Sequence, residues 1–204
     1  MTNTQLPSSL SAPSANDSIP SDIEPQPRSK GSDFSKPAVV RNIKLNTNQV
    51  QKVFEHCYKR ANHALYTATK VAYDQNRVKD AKTAETRIKA IFETFSTELA
   101  DTAAQQQRIL EEKVPLEYQT TLYDHQREYR VSAKTSFSMR LLNLTEVLDA
   151  VVTKIDALEI NNVISFQESA DIVESWIRRY RKFCGAIEAI KSHSLPARKK
   201  ELTD

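Results

Sequence analysis

The sequence predicts a mainly α-helical fold with a short strand near its beginning. From Ala38 onward it contains one glycine and two prolines, a composition typical of long helices with few tight turns. Two stretches repeat large apolar residues at alternating steps of four and three, which places those residues on one stripe of a helix. Residues 39–45 instead alternate with the period of two that a half-buried strand requires.

Composition divides the chain into three parts. Residues 1–37 hold six of the eight prolines, nine serines and one aromatic residue, so we expect a disordered tail that cannot bury a core. Residues 38–192 are predicted to form a single, mainly helical domain, and residues 193–204 a basic flexible tail. No apolar run is long enough for a membrane span, and the amino terminus has no secretory signal, so we expect a cytoplasmic protein without a membrane partner.

The strand and the first helix form one unit. In the strand, Ile43 and Leu45 point to one face and Val40, Asn42 and Lys44 to the other. Residues 46–48 then supply side chains suited to capping a helix. The apolar phase of that helix continues past residue 60, which favours one continuous helix to about residue 74.

Two further regions are predicted to be helical. A long helix runs from about Thr83 to Val114, and Pro115 ends it. Residues 116–134 are irregular except for a short alternation at 129–134, typical of an edge strand. Residues 137–190 predict an antiparallel helical hairpin, interrupted at 161–162 and resumed at a Ser165–Glu168 capping box.

Several classes of function lack their sequence signatures. There is no glycine-rich phosphate loop, nucleophile elbow or set of metal ligands, so we expect no enzymatic activity, no cofactor, no metal and no small-molecule substrate. Cys57 and Cys184 are interpreted as two buried thiols in a reducing cytoplasm. Residues 38–80 carry eight basic and three acidic side chains, which is compatible with binding a polyanion.

A single strand ahead of helices cannot satisfy its own backbone hydrogen bonds and therefore needs a partner strand. One alternative is the same strand of a second subunit, paired antiparallel across a two-fold axis. The other is the 129–134 segment of the same chain. A two-stranded ribbon with Val40, Asn42 and Lys44 facing outward would fit the major groove of DNA.

The strand-then-helix layout of residues 39–60 is that of ribbon-helix-helix DNA-binding proteins, and Val39–Thr47 resembles their strand and first helix cap. Two features depart from that pattern: Arg41 stands where the fold usually buries an apolar residue, and no glycine turn occurs near residue 60. The interpretation predicts that Asn42 and Lys44 reach base edges while the other basic residues lie closer to phosphates. The predicted DNA-binding residues are Val40, Arg41, Asn42, Lys44, Lys52, Lys59 and Arg60.

A longer resemblance spans about residues 38–191. Ile43–Leu45, followed by Val53–Asn62, is similar to accessory proteins of conjugative plasmids and integrating conjugative elements, the family of AcaB-type activators. Lys154–Ser165 is similar to that family as well. The resemblance implies a cytoplasmic DNA-binding regulator of transfer genes. Together with the strand, it leads us to expect a homodimer whose partner is double-stranded DNA. The alternative is a non-catalytic helical protein that binds other proteins, such as a relaxosome accessory factor.

Overall fold

In a computed structural model of the chain, residues 38–194 are described, with side chains as far as residue 190. The predicted tail 1–37 lies outside the described residues, as does the predicted tail 193–204 beyond Ser194. The elements are β1 Val39–Leu45, α1 Asn48–Tyr66, a π-helical segment Thr67–Val71, α2 Ala72–Asp74, α3 Val78–Lys113, a 3-10 turn Leu116–Tyr118, β2 Arg127–Ala133, α4 Ser136–Ile160 and α5 Phe166–Ser194. This architecture confirms the mainly α prediction.

The first helical run is continuous to Asp74, as the apolar phase predicts. Its last part widens into the π-helical segment Thr67–Val71 before a final α-helical turn. The hydroxyl of Thr69 donates to the Leu65 carbonyl within this region. Asn76 then adopts a φ of 60°, a left-handed conformation that asparagine tolerates, and α3 begins two residues later.

The predicted antiparallel hairpin is formed by α4 and α5. Asn162 lies in the link with a φ of 55°, and the N–H and hydroxyl of Ser165 donate to the Glu168 carboxylate at 2.8 and 2.9 Å. The Glu168 N–H donates back to the Ser165 hydroxyl at 3.2 Å, which completes the capping box. Farther from the turn, the hydroxyls of Thr145 and Tyr180 hydrogen-bond at 2.7 Å inside the core.

The main core lies between α1, α3, α4 and α5. Phe95 of α3 stacks on Phe183 of α5 with ring centroids 4.4 Å apart, and Phe92 meets the same ring edge-on at 5.0 Å. Leu148 and Ile155 of α4 are fully buried in the same cluster. A smaller cluster at the far end of α3 and α4 consists of Leu110, Val114, Ala157 and Leu158. No described helix has the length and apolarity to cross a membrane.

A carboxylate from α4 caps the beginning of α1. Asp149 is buried and accepts hydrogen bonds from the backbone N–H groups of Asn46 and Thr47 at 2.8 and 2.9 Å. The side chains of the same two residues also donate to it, at 3.0 and 2.7 Å. Thr47, the N-cap residue, makes no side-chain capping bond within its own helix; its N–H, one of the free donors at the helix terminus, is satisfied by Asp149 instead.

The strand finds its partner within the same chain. β1 pairs antiparallel with β2 in a two-stranded sheet, in a register that runs from Val39 opposite Ala133 to Leu45 opposite Arg127. The partner of the strand is therefore the predicted intrachain segment, which begins two residues earlier and ends one residue earlier than 129–134, and the ribbon is complete without a strand from a second subunit.

Candidate nucleic-acid interface

The ribbon has a buried and an exposed face. Ile43 and Leu45 of β1 are fully buried, while Tyr129 and Val131 of β2 are partly buried against the same core. These side chains anchor the ribbon to the helices. The predicted inward orientation of Ile43 and Leu45 is therefore confirmed.

The opposite face of the ribbon, here called the outer face, is open to solvent. Because side chains alternate between the two faces of a strand, every second pair of the register lies on this face, which gives three cross-strand pairs. These pairs are Val40 with Ser132, Asn42 with Arg130, and Lys44 with Glu128. All six residues are exposed. The structure thus brings Val40, Asn42 and Lys44 together, as the alternation predicts.

The polar groups of the outer face are available to a ligand. Within residues 38–190, the structure shows no hydrogen bond or ion pair for the side chains of Asn42, Lys44 or Arg130. Lys44 and Arg130 supply positive charge and several donors, while the Asn42 amide supplies a donor and an acceptor. Glu128 is the acidic residue of this face. Such a set can bind the base edges and phosphates of a nucleic acid.

Helix α1 holds β2 in place from one side. The Glu55 carboxylate accepts from the Tyr129 hydroxyl at 2.7 Å and from Arg127 at 3.0 Å. The bond from Tyr129, followed by the contacts with Arg127, lowers the pKa of Glu55. Tyr58 and Asn62 both donate to the Ser132 carbonyl, at 3.4 and 3.0 Å.

Arg41 lies on the inner face and turns toward α4. Its guanidinium donates to the side-chain carbonyl of Asn143 and forms an ion pair with Glu146 at 2.5 Å. The pair is about one-third exposed, which explains how a charged residue can occupy a position that ribbon-helix-helix proteins usually fill with an apolar one. The structure therefore does not bring Arg41 to the outer face.

The three basic residues predicted on α1 separate into two groups. Lys59 is exposed, one turn from both Glu55 and Asn62, and so lies at the border of the ribbon. Lys52 instead lines a groove with residues of α5. Arg60 approaches Glu188 of α5 at 3.4 Å. Lys52 and Arg60 are thus not part of the outer face.

Arg130 and Ser132 complete the outer face but were not among the predicted site residues. The signal for them was present, because the alternation at 129–134 places Arg130 and Ser132 on the face opposite Tyr129 and Val131. Using that signal required knowing that this segment pairs with β1. Sequence alone left this pairing as one of two alternatives.

The two cysteines lie side by side between α1 and α5. Cys57 and Cys184 are free thiols and both are buried. A hydrogen bond from Cys184 lowers the pKa of Cys57, against the effect of burial, and the same bond raises the pKa of Cys184. Among the described residues, no group of three or more metal-ligating side chains occurs.

The geometry defines a mainly α-helical protein that carries a two-stranded ribbon on its side. A solved structure with a similar fold is selenomethionine-containing AcaB from uropathogenic E. coli. The TM-score is 0.74 at 22% sequence identity, over 78% of this chain and 82% of the AcaB chain. No protein-family model matches the sequence, and no curated protein does. The resemblance to AcaB-type proteins is therefore confirmed at the level of the fold.

Proposed function

We propose that the chain is a DNA-binding transcriptional regulator that reads double-stranded DNA with the outer face of its ribbon. The observation that carries this proposal is the exposed set formed by Asn42, Lys44 and Arg130, whose side chains have no partner within the described residues. A two-stranded β-ribbon fits a major groove about 12 Å wide. Asparagine pairs with adenine through donor and acceptor together, whereas lysine and arginine donate to guanine.

The other contacts of the ribbon support this role. The Asp149 carboxylate, the Arg41–Glu146 pair and the hydrogen bonds from α1 fix both strands to the helices. A reading face on a rigid support loses little entropy when it binds. Lys59 lies at the border of the ribbon, where it would meet a phosphate and not a base.

We further propose that the protein acts as a homodimer. The ribbon is closed within one chain, so each copy would bring its own two-stranded ribbon to DNA. A two-fold axis would set the ribbons of two copies in neighbouring major-groove half-sites, one helical turn (about 34–36 Å) apart. Each outer-face residue would then be presented twice, as a palindromic site requires.

Conjugative transfer genes are the proposed targets, and activation is the proposed effect. Both are implied by the resemblance of the sequence to AcaB-type activators, and the similar fold of AcaB supports that resemblance. The protein would act in the cytoplasm without a cofactor and without catalytic activity.

Binding across a salt series tests the DNA proposal. The parent is compared with Asn42→Ala/Arg130→Ala and with the control Lys82→Ala/Lys89→Ala, whose two lysines are exposed on α3. The targets are duplexes from the control regions of neighbouring transfer operons and a random duplex. Each lost base contact should cost about 1–3 kcal/mol and relax sequence preference, whereas the α3 control should bind as the parent does.

A separate variant distinguishes the border of the ribbon from its centre. Lys59→Ala should weaken binding to all duplexes about equally. It should also reduce the slope of log K against log salt concentration by about one unit per bound copy, because each copy loses one phosphate contact. If Asn42→Ala/Arg130→Ala binds its target as tightly and selectively as the parent, the outer face of the ribbon is not the DNA-binding surface. Sedimentation of the parent at several concentrations tests the homodimer.

A second candidate function is binding of other proteins through the helices. Pairing of β1 within one subunit removes the need for a strand from a second copy, and this favours the candidate. A mainly apolar groove of about 420 Å³ also runs between α3 and α5, with Ile91, Phe95 and Phe183 among its lining residues. A protein that binds no duplex in the salt series but binds a relaxosome component would support this candidate.

A further inference from the structure

A second surface lies where α3 and α4 end and α5 begins. Five large apolar side chains are exposed there, and we call them the distal patch. Their exposed fractions are 85% for Leu116, 58% for Tyr118, 88% for Leu122, 66% for Ile160 and 74% for Phe166. Large exposed apolar side chains grouped on neighbouring segments often mark an interaction site.

Hydrogen bonds connect the segments that carry the patch. The Asn161 amide donates to the Tyr118 carbonyl at 3.1 Å, which places residue 118 beside the end of α4. The Tyr123 hydroxyl donates to the Asp156 carboxylate at 2.6 Å and holds the following part of the loop against the same helix. The Gln119 amide donates to the Val114 carbonyl at 2.8 Å.

These bonds keep the apolar side chains of the loop outside the core. The smaller core cluster of Leu110, Val114, Ala157 and Leu158 is already closed beneath them. Leu116 and Leu122 therefore add nothing to the packing of the described domain, although its fold fixes their position. A preordered apolar surface favours binding, because little side-chain and loop entropy is lost on association.

A groove beside Phe166 extends the patch. It has a volume of about 440 Å³ and is lined by apolar residues of α5, Val173 and Ile177, together with the acidic residues Asp156 and Glu159. Lys52 and Arg181 also line it, on the side toward α1 and the middle of α5. A groove of this size accepts a large apolar side chain from a partner, as the central pockets of protein interfaces do.

The charge around the patch indicates what kind of partner fits. Residues 111–124 and 156–171 together contain eight acidic residues and one basic residue, Lys113. Three further residues that line the groove bring the totals to nine acidic and three basic residues, namely Glu174, Lys52 and Arg181. Pairing of this end with the same end of a second copy would bring like charges together, and so would contact with an anionic membrane. A basic partner would meet complementary charge at the rim and apolar surface at the centre.

We propose that the distal patch docks a protein partner that presents an apolar helix face flanked by lysine or arginine. Such a helix would lay its apolar residues over Leu116, Leu122 and Phe166 and place its cations against the acidic rim. The surface is separate from the outer face of the ribbon, so the inference stands independently of DNA binding.

Synthetic amphipathic helices serve as probes for this surface. One peptide carries leucine on one face and lysine on the other; a second replaces lysine with glutamate, and a third replaces leucine with serine. Binding to the full chain is measured by calorimetry. The leucine–lysine peptide should bind, whereas the glutamate and serine versions should bind at least about tenfold more weakly.

Substitutions then locate the binding site. Leu122→Ser/Phe166→Ser should weaken the leucine–lysine peptide by about tenfold or more, because both side chains are exposed and central to the patch. The matched control is Tyr73→Ser/Val78→Ser, which removes two exposed apolar side chains elsewhere and should leave affinity unchanged. Circular dichroism checks that each variant is folded.

Three outcomes would overturn the proposal. The first is that none of the peptides binds, and the second is equal binding of the leucine–lysine peptide to parent and patch variant. The third is that the patch variant sediments as a smaller species than the parent. That result would show that a second copy of the chain occupies the patch.

Discussion

At the scale of single residues, Asp149 shows how one side chain joins distant parts of the chain. It lies in the middle of α4 and accepts four hydrogen bonds from Asn46 and Thr47, the residues between β1 and α1. Hydrogen bonds to a charged group contribute about 1.5–3 kcal/mol each, although such values do not add. The sequence places a capping segment at 46–48 but does not indicate that its acceptor lies 102 residues away.

Replacement of Asp149 should therefore destabilise the fold. We expect Asp149→Ala to lower the free energy of unfolding by about 2–4 kcal/mol, because buried donors lose their acceptor. Asp149→Asn keeps one acceptor oxygen and should lose less. The control is Asp101→Ala, since Asp101 is exposed on α3. Urea unfolding measures all three variants, and equal stability of Asp149→Ala and Asp101→Ala would contradict the capping role.

Several tyrosines couple stability to alkaline pH. Burial raises the pKa of Tyr58 to about 12, and burial together with the bond to Glu55 raises the pKa of Tyr129 to about 12. An unfolded tyrosine ionises near pH 10, so the folded state favours the protonated form. The contribution is fully present below pH 10 and is lost as pH rises from 10 toward 12.

Unfolding free energy should accordingly decrease over that interval. Tyrosinate absorbance of the folded protein should show a fraction of tyrosines that ionise well above pH 10, and Tyr58→Phe should remove part of that fraction. Ionisation of every tyrosine near pH 10 in protein that remains folded would show that Tyr58 and Tyr129 are not protected as the structure indicates.

At the scale of elements, periodicity predicts what faces the core but not what each element pairs with. The period of two in β1 places Val40, Asn42 and Lys44 on one face, and the spacing along α4 and α5 predicts the hairpin. Both hold in the structure because they depend on local geometry alone. The choice between β2 and a second subunit as the partner of β1 depends on non-local contacts, such as Asn62 with Ser132, which no local pattern encodes.

The hairpin gives a direct test of the element scale. Leu148 is fully buried on α4, so Leu148→Ala should leave a cavity and cost about 2–5 kcal/mol of unfolding free energy. The neighbouring Val147 is 39% exposed, and Val147→Ala should cost about 0.5 kcal/mol or less. Thermal and urea unfolding compare the two. Matching curves for both variants would refute the assignment of Leu148 to the centre of the core.

At the scale of the described domain, the two proposed binding surfaces lie at separate places along α4. Arg41 attaches the ribbon to Asn143, near the beginning of that helix, whereas Ile160 of the distal patch is its last residue. That stretch of helix is on the order of 25 Å long, and the stretch from Asp149, which holds the other end of β1 through Asn46, is about 16 Å long, at a rise of 1.5 Å per residue. The surfaces also differ in chemistry, since the outer face offers cations and an amide while the distal patch is apolar with an acidic rim.

This separation predicts that the two surfaces act independently. Lys44→Ala/Arg130→Ala should weaken DNA binding and leave the affinity for the leucine–lysine peptide unchanged, and Leu122→Ser/Phe166→Ser should do the reverse. In the variant with all four substitutions, each affinity should match that of the corresponding double variant within about 0.3–0.5 kcal/mol, because distant sites with no shared partners are additive. Calorimetry with DNA and peptide, each in the presence and absence of the other and corrected for direct binding of the cationic peptide to the duplex, measures the coupling. Enhanced DNA binding when peptide is present would contradict independence and would show that the helices transmit occupancy of the patch to the ribbon.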